Sequence, residues 1–175
     1  MQVKKKCASN HKPYPLGMCN KCIPPGISLN RQVYRHVDYV SFMNNEELQK
    51  FVGNWKSIEQ RCGWLYGWYA EDPNYKDGVR CIVEAIYEPP QLGEINGFQL
   101  LEDKFRRSVD RVAANLGFER IGWIFTSLNQ DVILSSHQVR EMARLQQEHI
   151  VEHPWGYKVS KFVTVVVKRS SYLPS

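Results

Sequence analysis

The chain has 175 residues, of which 43% are hydrophobic and 23% charged, and its formal net charge is +5. These values fit one globular domain with room for a small appendage and exclude a disordered chain. They also exclude a bilayer-spanning helix, since no apolar run nears ~20 residues, and a charge excess this mild favours a protein partner over nucleic acid.

The first 30 residues are the least regular part of the chain. They hold four of the nine prolines, two glycines and almost no periodic apolar pattern. A segment of that kind cannot bury a core alone. The opening MQVKKKCASN has basic residues with no apolar stretch behind them. It is therefore no secretory signal, and an intracellular location is the default expectation. Lys4-Lys5-Lys6 reads as a solvated end. The spacing Cys7-x3-His11-x7-Cys19-x2-Cys22 carries the chemistry. Zinc takes tetrahedral Cys and His sets of this kind, and four protein ligands leave no open position, so one structural ion is expected. Zinc binding in comparable fingers contributes about 10–16 kcal/mol, enough to order a coreless segment. A redox CxxC would open a helix in a thioredoxin-like unit, whereas this one lies in a Pro-rich loop. His11 is the ligand least restricted by its spacing.

From Arg31 the text turns regular, and a second domain is expected over 31–170, with a tail at 171–175. RQVYRHVDYVSF is β-branched and aromatic and predicts a strand. Asn44, with Glu47 three residues on, predicts a capped helix start, followed by Leu48, Phe51, Val52 and Trp55 at helical spacing. GWLYGWYA is a strand, DPNYKDG a turn, and VRCIVEAIYE a long strand stopped by Pro89-Pro90. A second helix is predicted through LLEDKFRRSVDRVAANLG, with Leu101, Phe105, Val109, Val112 and Leu116 lining one face and Gly117 ending it. FERIGWIFT is a strand. Ser135 or Ser136 caps a third helix carrying Val139, Met142 and Ile150, broken at His153-Pro154. KFVTVVVK closes as a strand. The order predicts an α/β fold, a mixed sheet sandwiched by helices. Cys62 and Cys81 fall in strand text and read as core residues.

The stretch GWIFTSLNQDVILSS, Gly122 to Ser136, resembles the active-site strand of metal-dependent isopeptidases of the MPN fold. The resemblance implies two histidines on this strand, an aspartate near the next helix start and a glutamate base on an earlier strand. In that register the positions are Phe125, Ser127, Gln138 and Gln60. Phenylalanine cannot ligate a metal, and a neutral glutamine is a poor zinc ligand and no base. Four losses in one register argue against hydrolysis. His137, His149 and His153 are the nearby histidines. His149-x3-His153 has i, i+4 spacing but no adjacent carboxylate, so surface or packing roles are expected.

The blocks PLGMCNKCIPPGISLNRQVYRHVDYVSF, GWLYGWY, VEAIYEPPQLG, LGFERIGWIFTSL, LSS and SKFVT resemble the nuclear protein localisation protein 4 family. That family joins a zinc-bearing segment to an MPN domain without its metal ligands. The resemblance implies a non-catalytic ubiquitin-binding adaptor. It would act with ubiquitin fusion degradation protein 1 and recruit ubiquitinated substrates to the hexameric AAA+ unfoldase valosin-containing protein. It further implies work in cytoplasm and nucleus, including degradation at the cytosolic face of the endoplasmic reticulum. Arg31, Gln32, Tyr34 and Arg35 belong to the most specific block, and two roles stay open for them: lining a recognition groove or pinning the zinc segment. Tyr66, Trp68 and Tyr69 are candidate aromatic anchors, with alternate ones expected in the core. The competing readings are a divergent metallo-isopeptidase and a zinc-finger nucleic-acid module. The latter predicts affinity that falls steeply with salt.

Overall fold

The structure, a computed structural model, describes residues 11, 12, 17, 36–53, 59–129 and 134–168. The chain divides into two compact units, Met1–Tyr34 and Arg35–Ser175. In the first unit the His11 Nδ1 lies 2.6 Å from the Lys12 carbonyl oxygen. Cys7, Cys19, Cys22, Arg31, Gln32, Tyr34 and Arg35 lie outside the described residues.

The second unit is built on a five-stranded sheet in the order β1-β3-β2-β6-β9. Its strands are β1 (Tyr39–Phe42), β2 (Cys62–Glu71), β3 (Val79–Tyr87), β6 (Glu119–Ser127) and β9 (Val163–Lys168). β1 runs parallel to β3 and β9 parallel to β6, while β2 is antiparallel to both its neighbours. Two hairpins stand apart from this sheet: β4 (Gln91–Glu94) with β5 (Gly97–Leu100), and β7 (Ile150–Glu152) with β8 (Lys158–Ser160). The helices are α1 (Asn45–Gly53), α2 (Arg106–Asn115) and α3 (Ser136–Glu148).

β2 and β6 are buried on both faces and therefore read as nearly continuous apolar text rather than strict alternation. On one face Cys62, Trp64, Tyr66, Trp123 and Phe125 pack with Ala113 of α2 and Leu145 of α3. On the other, Leu65, Cys81, Val83, Ile121 and Ile124 pack with Phe51 of α1. Helices thus cover both faces of a mixed sheet, as the sequence predicts. Gly67 sits where the β2–β3 register slips, and a Cβ there would lie 1.9 Å from the Ile82 carbonyl oxygen. No other residue fits that approach.

Several expectations change. The first strand is four residues long within the described chain, not the twelve of Arg31–Phe42. α2 begins at Arg106, and its buried residue is Ala113; Val109 is half-buried, while Leu101, Phe105, Val112 and Leu116 are exposed. Apart from Val109, which packs on the core, that apolar face turns outward because the sheet holds a neighbouring one. Tyr66 donates to Asp110 at 2.7 Å, Arg120 bonds both Asp110 oxygens, and the small Ala113 permits close approach. α3 ends at Glu148, so Ile150 lies in β7 and His153 in the turn that follows. The two hairpins went unpredicted because strands of three or four residues with charged positions carry too little periodic signal.

Candidate functional site

A groove of about 540 Å³ opens between β5, the end of the β4–β5 turn, β6 and α3. Phe98, Leu100, Trp123 and Phe125 form its apolar lining, and Gln60, Glu94, His137, Gln138, Glu141 and Arg144 stand around it.

One wall is the hairpin that follows IYEPPQLG, and that text explains how it is held. Glu88 pairs with Arg61. The Gln91 side chain accepts from the Cys62 backbone N–H and donates to the Cys62 carbonyl, both at 2.8 Å, so it imitates a neighbouring strand. Tyr87 donates to Asp103 at 3.1 Å. Gly93 lets the hairpin come close, since a Cβ there would lie 2.8 Å from the Gln60 carbonyl oxygen. Gln60 completes the seam: its backbone N–H donates to the Glu94 carbonyl at 3.0 Å and its side-chain amide to the Ile95 carbonyl at 2.8 Å.

The floor is β6. Phe125 is 0% exposed, with its ring 4.9 Å from Trp123 and 6.3 Å from Phe98, centre to centre. Phe98 in turn meets Trp123 edge-on at 5.9 Å. Aromatic pairs in these geometries add about 0.5–1.5 kcal/mol each beyond simple burial. Arg61 and Thr126 exchange hydrogen bonds at 2.8 Å and tie the chain before β2 to the floor. Among the described residues, the Ser127 hydroxyl and the Gln60 side-chain amide oxygen are buried with no hydrogen-bond partner. Such atoms each cost about 1–3 kcal/mol.

The opposite wall is α3. Ser135 is its N-cap: the Ser135 side chain accepts from the Gln138 N–H at 3.2 Å, and the Gln138 side chain accepts from the Ser135 N–H at 2.8 Å. Gln138 is therefore committed to a reciprocal cap. Further along, Arg144 donates to Glu141 and Glu148. The Arg144 hydrogen bonds hold the Glu141 carboxyl below its ordinary range, and Glu141 raises the Arg144 guanidinium in return. Being exposed, these pairs order the wall more than they stabilise it.

The structure thus brings Gln60, Phe125 and Gln138 together around one groove, with His137 beside them. Ser127 is buried at the far end of the same strand. The other two histidines go elsewhere. His149 ends α3, its Nδ1 2.9 Å from the Leu145 carbonyl and its ring stacked 4.0 Å from Phe162. His153 stacks on Tyr157 at 4.4 Å. No i, i+4 pair forms on a helix. Among the described residues no group of three or more His, Cys, Asp or Glu is placed to hold a metal. Burial pushes the Cys62 and Cys81 thiols up to about 12, so neither is a ready nucleophile.

The candidate anchors divide. Tyr66 is 3% exposed and presents no face to a partner. Burial first, then the bond to Asp110, raises its hydroxyl to about 12. Trp68 is half-buried and stacks on Phe118 at 5.7 Å. Tyr69 is half-buried and donates to the Ile121 and Lys161 carbonyls. Phe98, Leu100 and Gln91 were not singled out from the sequence, although the block containing Gln91 was. Their signal is the unusual PPQ run between two strands.

Three thiolates and one imidazole at Cys7, His11, Cys19 and Cys22 make a donor set suited to zinc, soft enough and complete at four. Comparison with known proteins supports zinc at the level of a region. The family model described as "NPL4 family, putative zinc binding region" matches residues 1–59, and the one described as "NPL4 family" matches residues 61–171. The Nuclear protein localization protein 4 homolog of Homo sapiens is 41% identical over 184 residues, 94% of this chain and 30% of its own. That of Drosophila melanogaster is 44% identical over 131 residues, 74% of this chain and 20% of its own. Nuclear protein localization protein 4 of Saccharomyces cerevisiae is 35% identical over 188 residues, 95% of this chain and 32% of its own. The chain spans about a third of the length of these relatives or less. With the two family models matched in order over residues 1–59 and 61–171, this chain belongs to the NPL4 family.

Proposed function

We propose that the protein is a non-catalytic adaptor that binds ubiquitin chains in the groove over β6. In this reading it delivers ubiquitinated substrates, together with ubiquitin fusion degradation protein 1, to the hexameric unfoldase valosin-containing protein. One observation carries the proposal. The groove stays open and apolar, while the positions where an MPN isopeptidase would place ligands and base hold a sealed ring, Phe125, and two amides with structural duties, Gln60 and Gln138. Nothing in that set can activate water, whereas Phe98 and Leu100, backed by the buried Trp123, supply the apolar contact that polypeptide binding uses. Cys7, His11, Cys19 and Cys22 would hold a single structural zinc that orders the first segment. The ATP chemistry belongs to the partner. The places of work are the cytoplasm, the nucleus and the cytosolic face of the endoplasmic reticulum.

Ubiquitin-chain pulldown, with and without the ubiquitin fusion degradation partner, tests this directly. The expected result is binding without cleavage, weakened about tenfold by Phe98→Arg. Cleavage that a chelator stops would establish a metallo-isopeptidase instead. Absence of binding to both chains and partner would sink the adaptor reading.

A further inference from the structure

The tip of the β4–β5 hairpin has little apolar packing of its own. Ile95 is 65% exposed, Glu94 and Asn96 are exposed, and a Cβ on Gly97 would meet nothing within 4 Å. Yet Glu94, Asn96 and Gly97 all line the groove over β6. An element with so few buried contacts is held mainly by its hydrogen bonds. Among the described residues, two such bonds tie the tip to the chain before β2, and both come from Gln60. Its backbone N–H donates to the Glu94 carbonyl at 3.0 Å, and its side-chain nitrogen donates to the Ile95 carbonyl at 2.8 Å. The root of the hairpin has a separate tie, the Gln91 bonds to Cys62.

Gln60 is 3% exposed, and its amide fits only one way round. The Ile95 carbonyl accepts and cannot donate, so the amide nitrogen must face it. The amide oxygen, on the other side, meets no donor among the described residues. A carboxylate in the same place would set one oxygen against the Ile95 carbonyl and leave the other unpaired in a buried site. The charges around it offer no relief. Glu59 and Glu94 are acidic, Arg61 is paired with Glu88, and on α3 Arg144 is shared by Glu141 and Glu148, with His137 a turn away from Glu141. Position 60 is therefore built for a neutral donor. Resting on the reading that polypeptide binds in this groove, we infer that Gln60 is the positioning residue of the site: its amide fixes where the hairpin tip stands, and so sets the grip on the bound segment.

The test uses the full chain as parent, Gln60→Glu and Gln60→Met, with every value taken as a ratio to the parent at the same pH. Amide exchange at Ile95–Leu100 reads the tip without any ligand, and binding of ubiquitin chains reads the grip. At pH 7.5 both variants should exchange at the tip about tenfold faster and bind chains about tenfold more weakly, the scale of one lost buried hydrogen bond. At pH 5 Gln60→Glu should regain most of both. Burial and the neighbouring carboxylates raise the introduced acid above its ordinary value of about 4.3, and its protonated form can again donate to the Ile95 carbonyl. Gln60→Met has no donor at either pH and should not recover. Unchanged tip exchange in both variants overturns the proposal, and so does faster exchange with chain binding intact. Equal behaviour of the two variants at pH 5 overturns it by showing that the donor is not what holds the tip. Global unfolding of both variants, seen by circular dichroism, overturns it by making Gln60 a requirement of the whole domain. If the parent itself binds no chains, the ubiquitin reading falls, and the exchange ratios alone then support or overturn the tie at Gln60.

Discussion

Phe125→Ala removes the ring that seals the groove floor. The side chain is fully buried between Trp123 and Phe98, in the cluster that includes Leu145 of α3. Withdrawing a buried phenylalanine from apolar surroundings costs about 1.5–3 kcal/mol of transfer. Losing its pairing with Trp123 adds about 0.5–1.5 kcal/mol. The cavity relaxes poorly, because its walls are β2 and β9 flanking β6, all tied by backbone bonds. The two terms come to about 2–4.5 kcal/mol, and the unrelaxed cavity brings the loss to about 3–5 kcal/mol, the range seen for buried aromatic truncations. For a domain of this size that lowers Tm by about 10–15 °C. Urea unfolding followed by tryptophan fluorescence reads the loss, with Phe125→Leu as the volume-preserving control at about 1 kcal/mol. A loss below about 1 kcal/mol for the alanine variant would refute the reasoning. It would mean that the ring is loosely held and that position 125 remains available for other chemistry.

Three more outcomes follow from the same contacts. Gln91→Ala strands the buried N–H and carbonyl of Cys62 and should cost about 1–3 kcal/mol; amide exchange at Gly97–Leu100 should speed up selectively, and unchanged exchange there would show that the hairpin is anchored elsewhere. Cys19→Ser should release one zinc per chain by elemental analysis and loosen residues 1–30 to proteolysis while the sheet domain keeps its melting temperature; joint unfolding would show that the two parts are not separable. The Cys62 and Cys81 thiols, held neutral by burial up to about 12 against an ordinary 9.0, should resist a thiol reagent at pH 8 until denaturant is added. Because the folded values are raised, their contribution to stability is fully present below pH 9 and is lost as pH climbs from 9 toward 12. Melting temperature should therefore decline over that window, and less so in Cys62→Ala with Cys81→Ala; equal decline would assign the loss to other groups.

Local text and final structure agree where a residue's job is decided by its chain neighbours. Ser135 caps α3 and Gln138 returns the bond, both within four residues of sequence. Asn44 accepts from the Glu46 N–H at 3.0 Å, as a cap should. β2, β3, β6 and β9 are legible because sheet strands buried on both faces need long runs of β-branched and aromatic residues. The residue types at 60, 125, 127 and 138 are equally legible, since identity alone decides whether a side chain can ligate or accept a proton.

What the sequence by itself determined is this inventory: a cysteine- and histidine-bearing first segment, a mixed α/β sheet domain, and the chemical types at positions 60, 125, 127 and 138. The tertiary structure decided which faces are used. The heptad-like text of α2 names an apolar stripe, but Tyr66 and Arg120, 44 and 10 residues away in the chain, seize Asp110 and turn that stripe to solvent. Likewise Gln91 becomes the anchor of a groove wall only because the backbone of Cys62, 29 residues earlier, lies open beside it. Periodicity ranks the faces of an element by hydrophobicity. Which face is buried depends on hydrogen bonds and close contacts with residues distant in sequence, and those exist only once the sheet has assembled.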